Sequence, residues 1–196
     1  MWFYKFLDLP HIPDSLLDGA LAQLYSKELF QMPQNDMQIN WDHARNTMIH
    51  TDGMEKKNAP TISWDLEGEI VDWFRKNVNQ TFHNLRVSTT EPDGFLKDTQ
   101  AAHRDMSRDY TLMYMVDTGG DNVRTAWYHE ECKPIVRGRG ERCDDHRKLT
   151  LLAETVIPVR KWCLVNATIL HAVHNMVKPR RGIQAGFFSL DGLNIE

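Results

Sequence analysis

Eight short segments that follow residue 80 constrain the fold of this chain more than any other feature. Each has seven to nine residues rich in β-branched and aromatic side chains, and turn signals such as Pro92-Asp93-Gly94 and Gly119-Gly120 separate them. Seven or eight strands in succession, without helices between them, are typical of a sandwich, jelly roll or barrel. The segments are FHNLRVSTT, FLKDTQAAH, YTLMYMV, VRTAWYH, LTLLAETVI, KWCLVNATI, HAVHNMV and GIQAGFFSL.

The residues before this region predict a strand followed by a helix. Residues 1–10, MWFYKFLDLP, are apolar but much too short to span a membrane, and they predict the strand. The helix begins at a cap, Asp14 or Ser15, and carries an apolar stripe with helical spacing. This stripe indicates packing against a sheet. Its members are Leu16, Leu17, Ala20, Leu21 and Leu24.

A second helix is predicted closer to the strands. Ser63 or Asp65 provides its cap, and an apolar stripe extends to about Asn79. Residues 31–60 are rich in polar side chains and have weak periodicity. They predict either an irregular segment or a hairpin over residues 47–53, where Asp-Gly supplies the turn.

The composition fits one soluble domain. A length of 196 residues with 41% hydrophobic and 26% charged residues is typical of a globular chain that buries a core. We predict a single domain over 1–196, in which residues 1–80 support a core formed by residues 81–190. The net charge of −4 gives no general attraction to nucleic acid or to an anionic membrane, and it leaves the oligomeric state open. Three cysteines without a C-x2-C pair favour reduced thiols and a cytoplasmic location.

His103 and Asp105 are the residues that first suggest chemistry. Residues two apart on a strand point to the same side, so an imidazole and a carboxylate in this arrangement can share one cation. The pattern alone often arises by chance. His171, at the start of a later strand-like segment, is the best candidate for a third ligand. Two histidines and one carboxylate leave coordination positions open, which suits a catalytic Fe(II) ion.

These residues have the order and spacing of a known motif. His103-Arg104-Asp105 is followed by His171 and, nine and ten residues later, by Arg180 and Arg181. The region from about Arg86 to Ser189 thereby resembles the Fe(II)- and 2-oxoglutarate-dependent dioxygenases, in particular compact, prolyl-hydroxylase-like members from bacteria and bacteriophages. The stretches EPDGFLKDTQAAHRD and VNATILHAVHN also resemble the segments that lead into the two halves of that motif.

The resemblance implies a mainly β fold with N-terminal helices, a cupin-like jelly roll or double-stranded β-helix, with the metal at its mouth. Fe(II) would be bound by His103, Asp105 and His171, and 2-oxoglutarate would chelate the ion. Dioxygen would be used to hydroxylate a substrate while 2-oxoglutarate is decarboxylated to succinate. The substrate would be a small molecule or a protein side chain, with nucleic acid disfavoured by the acidic charge. The location would be cytoplasmic, the host cytoplasm for a bacteriophage protein.

An arginine is expected to bind the far carboxylate of 2-oxoglutarate, because a guanidinium pairs with a carboxylate through two parallel hydrogen bonds. Alternation along a strand allows only one of Arg180 and Arg181 to face the interior. Arg180 is favoured because it shares its face with two glycines that leave room for a ligand. The resemblance also implies an assisting hydroxyl, for which Tyr114 is the first choice, while Thr111 lies on the opposite face.

Several neighbouring side chains have more than one interpretation. Asn166 is expected to support His171, because ligating imidazoles need an orienting partner. Trp127 and Tyr128 are expected either at the substrate mouth or in the core. His174, three residues after His171, is expected on the opposite face of its strand as a structural or exposed side chain.

The polar segment 129–148 also has two interpretations. Its H-x2-C-x10-C-x2-H pattern could bind zinc, but the spacings differ from those of common zinc modules. A mobile lid over the active site is favoured, with its arginines facing substrate or solvent. The four candidate zinc ligands are His129, Cys132, Cys143 and His146, and the lid arginines are Arg137, Arg139 and Arg142.

Two other classes of function remain compatible with the same residues. The three ligands could bind another divalent ion in a hydrolase or isomerase that does not use 2-oxoglutarate. The jelly roll could also serve as a metal-binding module without catalysis. Metal content and 2-oxoglutarate binding distinguish these alternatives from an oxygenase.

Overall fold

The computed structural model describes residues 1–29, 47–59, 61–94, 97–105, 107–130, 135–137 and 140–193 of the chain. Most of the regular structure in this part is β-strand, and neither of its α-helices is long and apolar enough to cross a membrane. The elements are β1 (Tyr4–Leu7), α1 (Asp14–Leu29), β2 (Thr47–Ile49), β3 (Glu55–Lys57), β4 (Thr61–Asp65), α2 (Glu69–Asn77), β5 (Asn84–Thr90), β6 (Gln100–Asp105), β7 (Tyr110–Thr118), β8 (Arg124–Glu130), β9 (Ile135–Arg137), β10 (Gly140–Cys143), a 3-10 helix (His146–Lys148), β11 (Leu149–Thr155), β12 (Trp162–Asn166), β13 (His171–His174) and β14 (Arg180–Phe187).

Two antiparallel sheets form the body of the fold. In the first sheet β12, β7, β14 and β5 lie side by side, and in the second β11, β8, β13 and β6 do. From β5 onward the chain passes from one sheet to the other at most steps, which is the strand order of a jelly roll or double-stranded β-helix. All eight predicted strand segments are present, so the predicted fold class is confirmed.

Additional strands widen both sheets. β1 pairs with β12 and β4 pairs with β5 at the two edges of the first sheet. In the second sheet β10 pairs with β6, and β9 pairs with β10. β2 and β3 form a separate hairpin whose turn contains Gly53 at φ 85°, which is the hairpin alternative predicted for residues 47–53. Residues 31–46 of the same prediction lie outside the described part of the chain.

The first sheet separates two apolar clusters. Its outer face is covered by the helices, with Leu17 and Leu24 of α1 and Phe74 of α2 buried against it, so the predicted packing of α1 on a sheet is confirmed. Its other face meets the second sheet across the space that we call the interior. The interior cluster consists of Met113, Met115, Trp127, Ile157, Cys163, Val165 and Ile169.

The second helix begins later than the sequence predicts. Residues 61–65 form β4, whose side chains alternate in burial while its backbone pairs with β5. α2 starts at Glu69, after Gly68 with φ 78° and without a side-chain cap. The prediction that Ser63 or Asp65 caps this helix was wrong. The sequence TISWD has the alternation of a strand, and pairing with β5 satisfies its backbone groups.

The polar segment 129–148 contains an edge hairpin. β10 extends the second sheet beyond β6, and Asp145 caps the 3-10 helix that follows by accepting a hydrogen bond from the Arg147 backbone N–H. Arg142, predicted to face substrate or solvent, is buried and pairs with Asp144 at 2.6 Å. That prediction was wrong because pairing with β6 draws this strand into the sheet. Cys132, Arg139 and the side chain of Arg137 lie outside the described residues.

Candidate functional site

His103, Asp105 and His171 lie together at one end of the second sheet. β6 and β13 are neighbours, and their register places His171 directly opposite His103. The centroids of the two imidazole rings are 4.5 Å apart, and His103 Nε2 lies 3.9 Å from Asp105 Oδ1. Residues that are far apart in the sequence thus form one compact group with two imidazoles and a carboxylate.

Backbone carbonyls orient both imidazoles. His103 Nδ1 lies 2.8 Å from the Ala101 carbonyl oxygen, and His171 Nδ1 lies 2.9 Å from the Ile169 carbonyl oxygen. Since a carbonyl can only accept, each Nδ1 carries the hydrogen and each Nε2 keeps its lone pair. Metal-ligating histidines usually have such a partner for the second nitrogen. The two Nε2 atoms are therefore the ones available to a metal ion.

The charge states also suit a metal ion. Burial, with a contribution from His103, lowers the pKa of His171 to about 4, which keeps this imidazole neutral at physiological pH. Burial alone would raise the pKa of Asp105, but Arg108 and the two histidines together hold it below its usual value. Arg108 Nε lies 2.7 Å from Asp105 Oδ2. Asp105 is thus an anion whose Oδ1 is the oxygen nearer to His103.

The spacing of His103 and Asp105 is wider than that of two ligands of one metal ion. Two ligands at right angles on bonds of about 2.1 Å stand about 3 Å apart, compared with 3.9 Å between His103 and Asp105. Within the described residues, no three His, Cys, Asp or Glu side chains already stand at coordinating separation. For the His103–Asp105 pair, binding an ion therefore takes a side-chain adjustment of about 1 Å. The donor types and the orientation of the two imidazoles fit a metal ion.

Arg180 is buried in the interior, and no described residue supplies a counterion for it. It is 7% exposed, and burial lowers the pKa of its guanidinium to about 10, while an electrostatic interaction with Cys163 of the interior cluster acts in the opposite direction. No carboxylate in the described part of the chain pairs with it. A buried cation is costly unless it is paired, so this guanidinium is suited to bind an anionic ligand.

Arg181 occupies the other face of β14. Its guanidinium lies 3.5 Å from Glu91 and 5.5 Å from the centroid of the Tyr25 ring of α1. The alternation expected of a strand therefore separates the two arginines. The sequence suggested that the glycines on the Arg180 face leave room for a ligand. The structure shows that they do not. An added Cβ would lie 2.9 Å from the Tyr114 carbonyl oxygen at Gly182 and 2.9 Å from Arg108 Cδ at Gly186.

Tyr114 points away from the interior, and its predicted role as a cosubstrate-binding hydroxyl was wrong. Its hydroxyl lies 3.1 Å from His11 Nδ1, and its ring packs 4.7 Å from that of Trp162 in the cluster beneath the helices. A large aromatic side chain fills that cluster better than the space between the sheets. Thr111, on the opposite face of β7, is buried, and no described residue hydrogen-bonds its hydroxyl.

Trp127 and Tyr128 lie on opposite faces of β8. Trp127 is buried in the interior, directly across from His171. Tyr128 is buried in a cluster on the outer face of the second sheet and hydrogen-bonds His174 at 2.7 Å, so of its two predicted places the core is confirmed and the substrate mouth is not. Asn166 does not contact His171. Its side chain accepts from the Thr168 backbone and hydroxyl and so stabilises the turn that leads to β13.

Sequence reasoning missed a group of three histidines on the outer face of the second sheet. His50, His146 and His174 surround one another with ring centroids 5.6 to 6.2 Å apart. His146 Nε2 accepts the Ala102 backbone N–H at 3.1 Å. Of the predicted zinc ligands, His146 belongs to this group, but His129 does not, because it is exposed on β8. No periodicity links His50 to the other two, so only the fold reveals the group.

These buried histidines predict a loss of stability in mild acid. Burial lowers the pKa of His146 to about 3 and that of His174 to about 4, whereas both protonate near 6.5 in the unfolded chain. Their stabilising contribution is complete above pH 6.5 and declines as the pH falls, by about 1.4 kcal/mol per pH unit for each histidine. Urea unfolding between pH 7.5 and 5 measures this slope. His146→Gln keeps an acceptor for the Ala102 N–H but does not titrate, so the free energy of unfolding of this variant should depend less on pH than that of the wild type. Equal pH dependence in the variant and the wild type would contradict the assignment.

Comparison with known proteins shows similarity in fold only. No protein-family model and no curated protein matches the sequence. A cupin superfamily protein from Desulfitobacterium hafniense is similar over 72% of this chain and 90% of its own, with 8% identity and a TM-score of 0.33. A hydroquinone 1,2-dioxygenase, solved with Cd²⁺ and 4-hydroxybenzonitrile, is similar over 72% of this chain and 87% of its own, with 12% identity and a TM-score of 0.35. Neither similarity bears on the activity of this chain.

Proposed function

We propose that this protein is an Fe(II)- and 2-oxoglutarate-dependent oxygenase that hydroxylates a small molecule or a protein side chain. The observation that carries the proposal is the guanidinium of Arg180, which pairs with no described carboxylate and is buried in the same interior that His171 borders. Trp127 lies between His171 and the surroundings of Arg180. It is the cross-strand partner of His171, and it packs in one cluster with Cys163, which interacts electrostatically with Arg180. A divalent ion and a buried cation at two points of one interior suit a ligand with two anionic ends.

2-Oxoglutarate has the chemistry that this arrangement requires. Its keto acid end chelates a metal ion, and its distal carboxylate matches the planar donor fork of an arginine. Pairing with Arg180 would compensate the cation that the protein otherwise buries alone. When bound together, Fe(II) and 2-oxoglutarate would activate dioxygen, the oxidant: one oxygen atom would enter the substrate as a hydroxyl and the other would enter succinate, which forms as 2-oxoglutarate loses carbon dioxide.

The residues of this chain would hold and orient these groups. His103 and His171 offer Nε2 lone pairs that are fixed by the Ala101 and Ile169 carbonyls. Asp105 contributes a carboxylate that Arg108 keeps ionised and holds in place. The apolar side chains of the interior exclude water, which strengthens the ion pair between Arg180 and a bound carboxylate.

Turnover of 2-oxoglutarate tests the proposal. Protein purified without oxygen and loaded with Fe(II) should convert 2-oxoglutarate to succinate on exposure to air, even without its substrate, at a slow uncoupled rate detectable by mass spectrometry. A +16 mass shift in candidate small molecules and peptides would then identify the substrate. Metal binding without 2-oxoglutarate binding would instead support a hydrolase, an isomerase or a metal-binding module.

A further inference from the structure

The indole N–H of Trp127 is a buried donor that no described residue accepts from. Trp127 is 0% exposed, and its Nε1 has no hydrogen-bond partner in the part of the chain that the structure describes. One face of the ring stacks on Tyr4 of β1, with centroids 5.1 Å apart and planes 17° from parallel. Most other neighbours in the interior cluster are aliphatic or sulfur-containing side chains, which accept hydrogen bonds weakly or not at all. Buried indole N–H groups normally have a partner.

The position of this donor relates it to the candidate metal site. Trp127 and His171 are cross-strand partners on β8 and β13. Side chains directly opposite each other in an antiparallel pair stand on the same face, with Cβ atoms about 5 Å apart. The indole therefore borders the imidazole that would bind the metal, on the side that faces the interior.

The guanidinium of Arg180 also lacks a partner among the described residues. It projects into the interior from β14 of the first sheet. The buried hydroxyl of Thr111 lacks one too, but Thr111 lies opposite Gly186, six residues along β14 from Arg180 and about 20 Å away. Arg180 and Trp127 are therefore the two donor groups that a ligand between Arg180 and the metal site could satisfy, and such a ligand needs acceptor oxygens.

We propose that Trp127 is a ligand-binding residue, whose indole N–H donates a hydrogen bond to an oxygen of the anion held between the metal site and Arg180. The proposal rests on the proposed function and adds a contact on β8 to it. It also distinguishes two buried tryptophans. Trp162 is 1% exposed, but its Nε1 already donates to the Pro10 carbonyl oxygen at 2.8 Å on the helix side of the first sheet.

The test compares Trp127→Phe with Trp162→Phe, since both changes keep an aromatic ring and remove one N–H. In protein loaded with Mn(II), Trp127→Phe should raise the Kd of 2-oxoglutarate measured by calorimetry at least tenfold, and Trp162→Phe should leave it within twofold of the wild type. The melting temperatures of the ligand-free proteins should show the reverse order. The melting temperature of Trp162→Phe should fall further, because this change removes an existing hydrogen bond, whereas Trp127→Phe removes an N–H that has no acceptor among the described residues.

A second measurement on the wild-type protein does not depend on how the variants fold. In ¹⁵N-labelled protein with Zn(II) as a diamagnetic ion, adding 2-oxoglutarate should shift the Trp127 indole signal downfield and leave that of Trp162 in place. If 2-oxoglutarate binds but neither the Trp127 signal nor the Kd of Trp127→Phe changes, the inference is overturned and the proposed function stands. If the wild type does not bind 2-oxoglutarate, the proposed function fails, and this inference with it.

Discussion

Replacing either His103 or Asp105 by Ala should abolish succinate formation and weaken metal binding more than any change outside the three ligands. Each change removes one of three ligands, so the loss of metal affinity should exceed the roughly 100-fold that removal of an outer hydrogen-bond partner costs. Calorimetry with Mn(II), which replaces Fe(II) because it is stable to air oxidation, measures the metal affinity. Mass spectrometry of 2-oxoglutarate turnover measures the activity.

A matched histidine controls for the substitution itself. His11 is exposed and contacts the Tyr114 hydroxyl on the helix side of the first sheet, away from His103 and His171, and His11→Ala should change neither metal affinity nor turnover. Because His103 and Asp105 are partly exposed at the end of a strand, we expect both variants to fold. Full turnover in both His103→Ala and Asp105→Ala would show that these residues are not the metal ligands.

Replacing Arg180 by Met should have two effects of opposite sign. The Kd of 2-oxoglutarate should rise roughly 30-fold or more, since losing one partner of a buried ion pair costs about 2 kcal/mol or more. The protein without ligand should become more stable, because the pKa of about 10 corresponds to a penalty on the order of 3 kcal/mol for keeping this buried guanidinium charged. Calorimetry and urea unfolding measure the two effects.

Arg181→Met is the control for this prediction. Arg181 is the neighbouring residue on the opposite face of β14, and its 3.5 Å contact with Glu91 is partly exposed to solvent. Its loss should cost at most about 1 kcal/mol of stability and leave 2-oxoglutarate affinity unchanged. An affinity that depends on Arg181 and not on Arg180 would reverse the assignment of the two faces.

Much of the fold follows from local sequence patterns. The eight jelly-roll strands have strand composition and clear turn signals, and α1 has a helical stripe whose buried members lie against the first sheet. The start of α2 was predicted wrongly because Ser63 and Asp65 are good helix caps, while the alternation of residues 61–65 is typical of a strand. This segment forms a strand by pairing with β5, which begins about twenty residues later. Pairings between distant segments cannot be read from a local pattern.

The orientation of side chains at the site was harder to predict. Alternation separated Arg180 from Arg181 and Tyr114 from Thr111, but it does not state which face of a strand is the interior. Tyr114 faces the helices because Trp162 and His11 supply its neighbours there. The sequence does not predict that Arg180 and the Trp127 N–H have no partner among the described residues. Their environment depends on side chains from several elements that are distant in the sequence.

The most direct test of the central claim is the visible absorption that a 2-oxo acid gives when it chelates Fe(II). Titration of anaerobic Fe(II)-loaded protein with 2-oxoglutarate should produce this absorption in the wild type and in Arg181→Met. His103→Ala should not produce it, and Arg180→Met should require a much higher 2-oxoglutarate concentration. Fe(II) binding by the wild type without this absorption at any 2-oxoglutarate concentration would contradict the assignment of the site to an Fe(II)- and 2-oxoglutarate-dependent oxygenase.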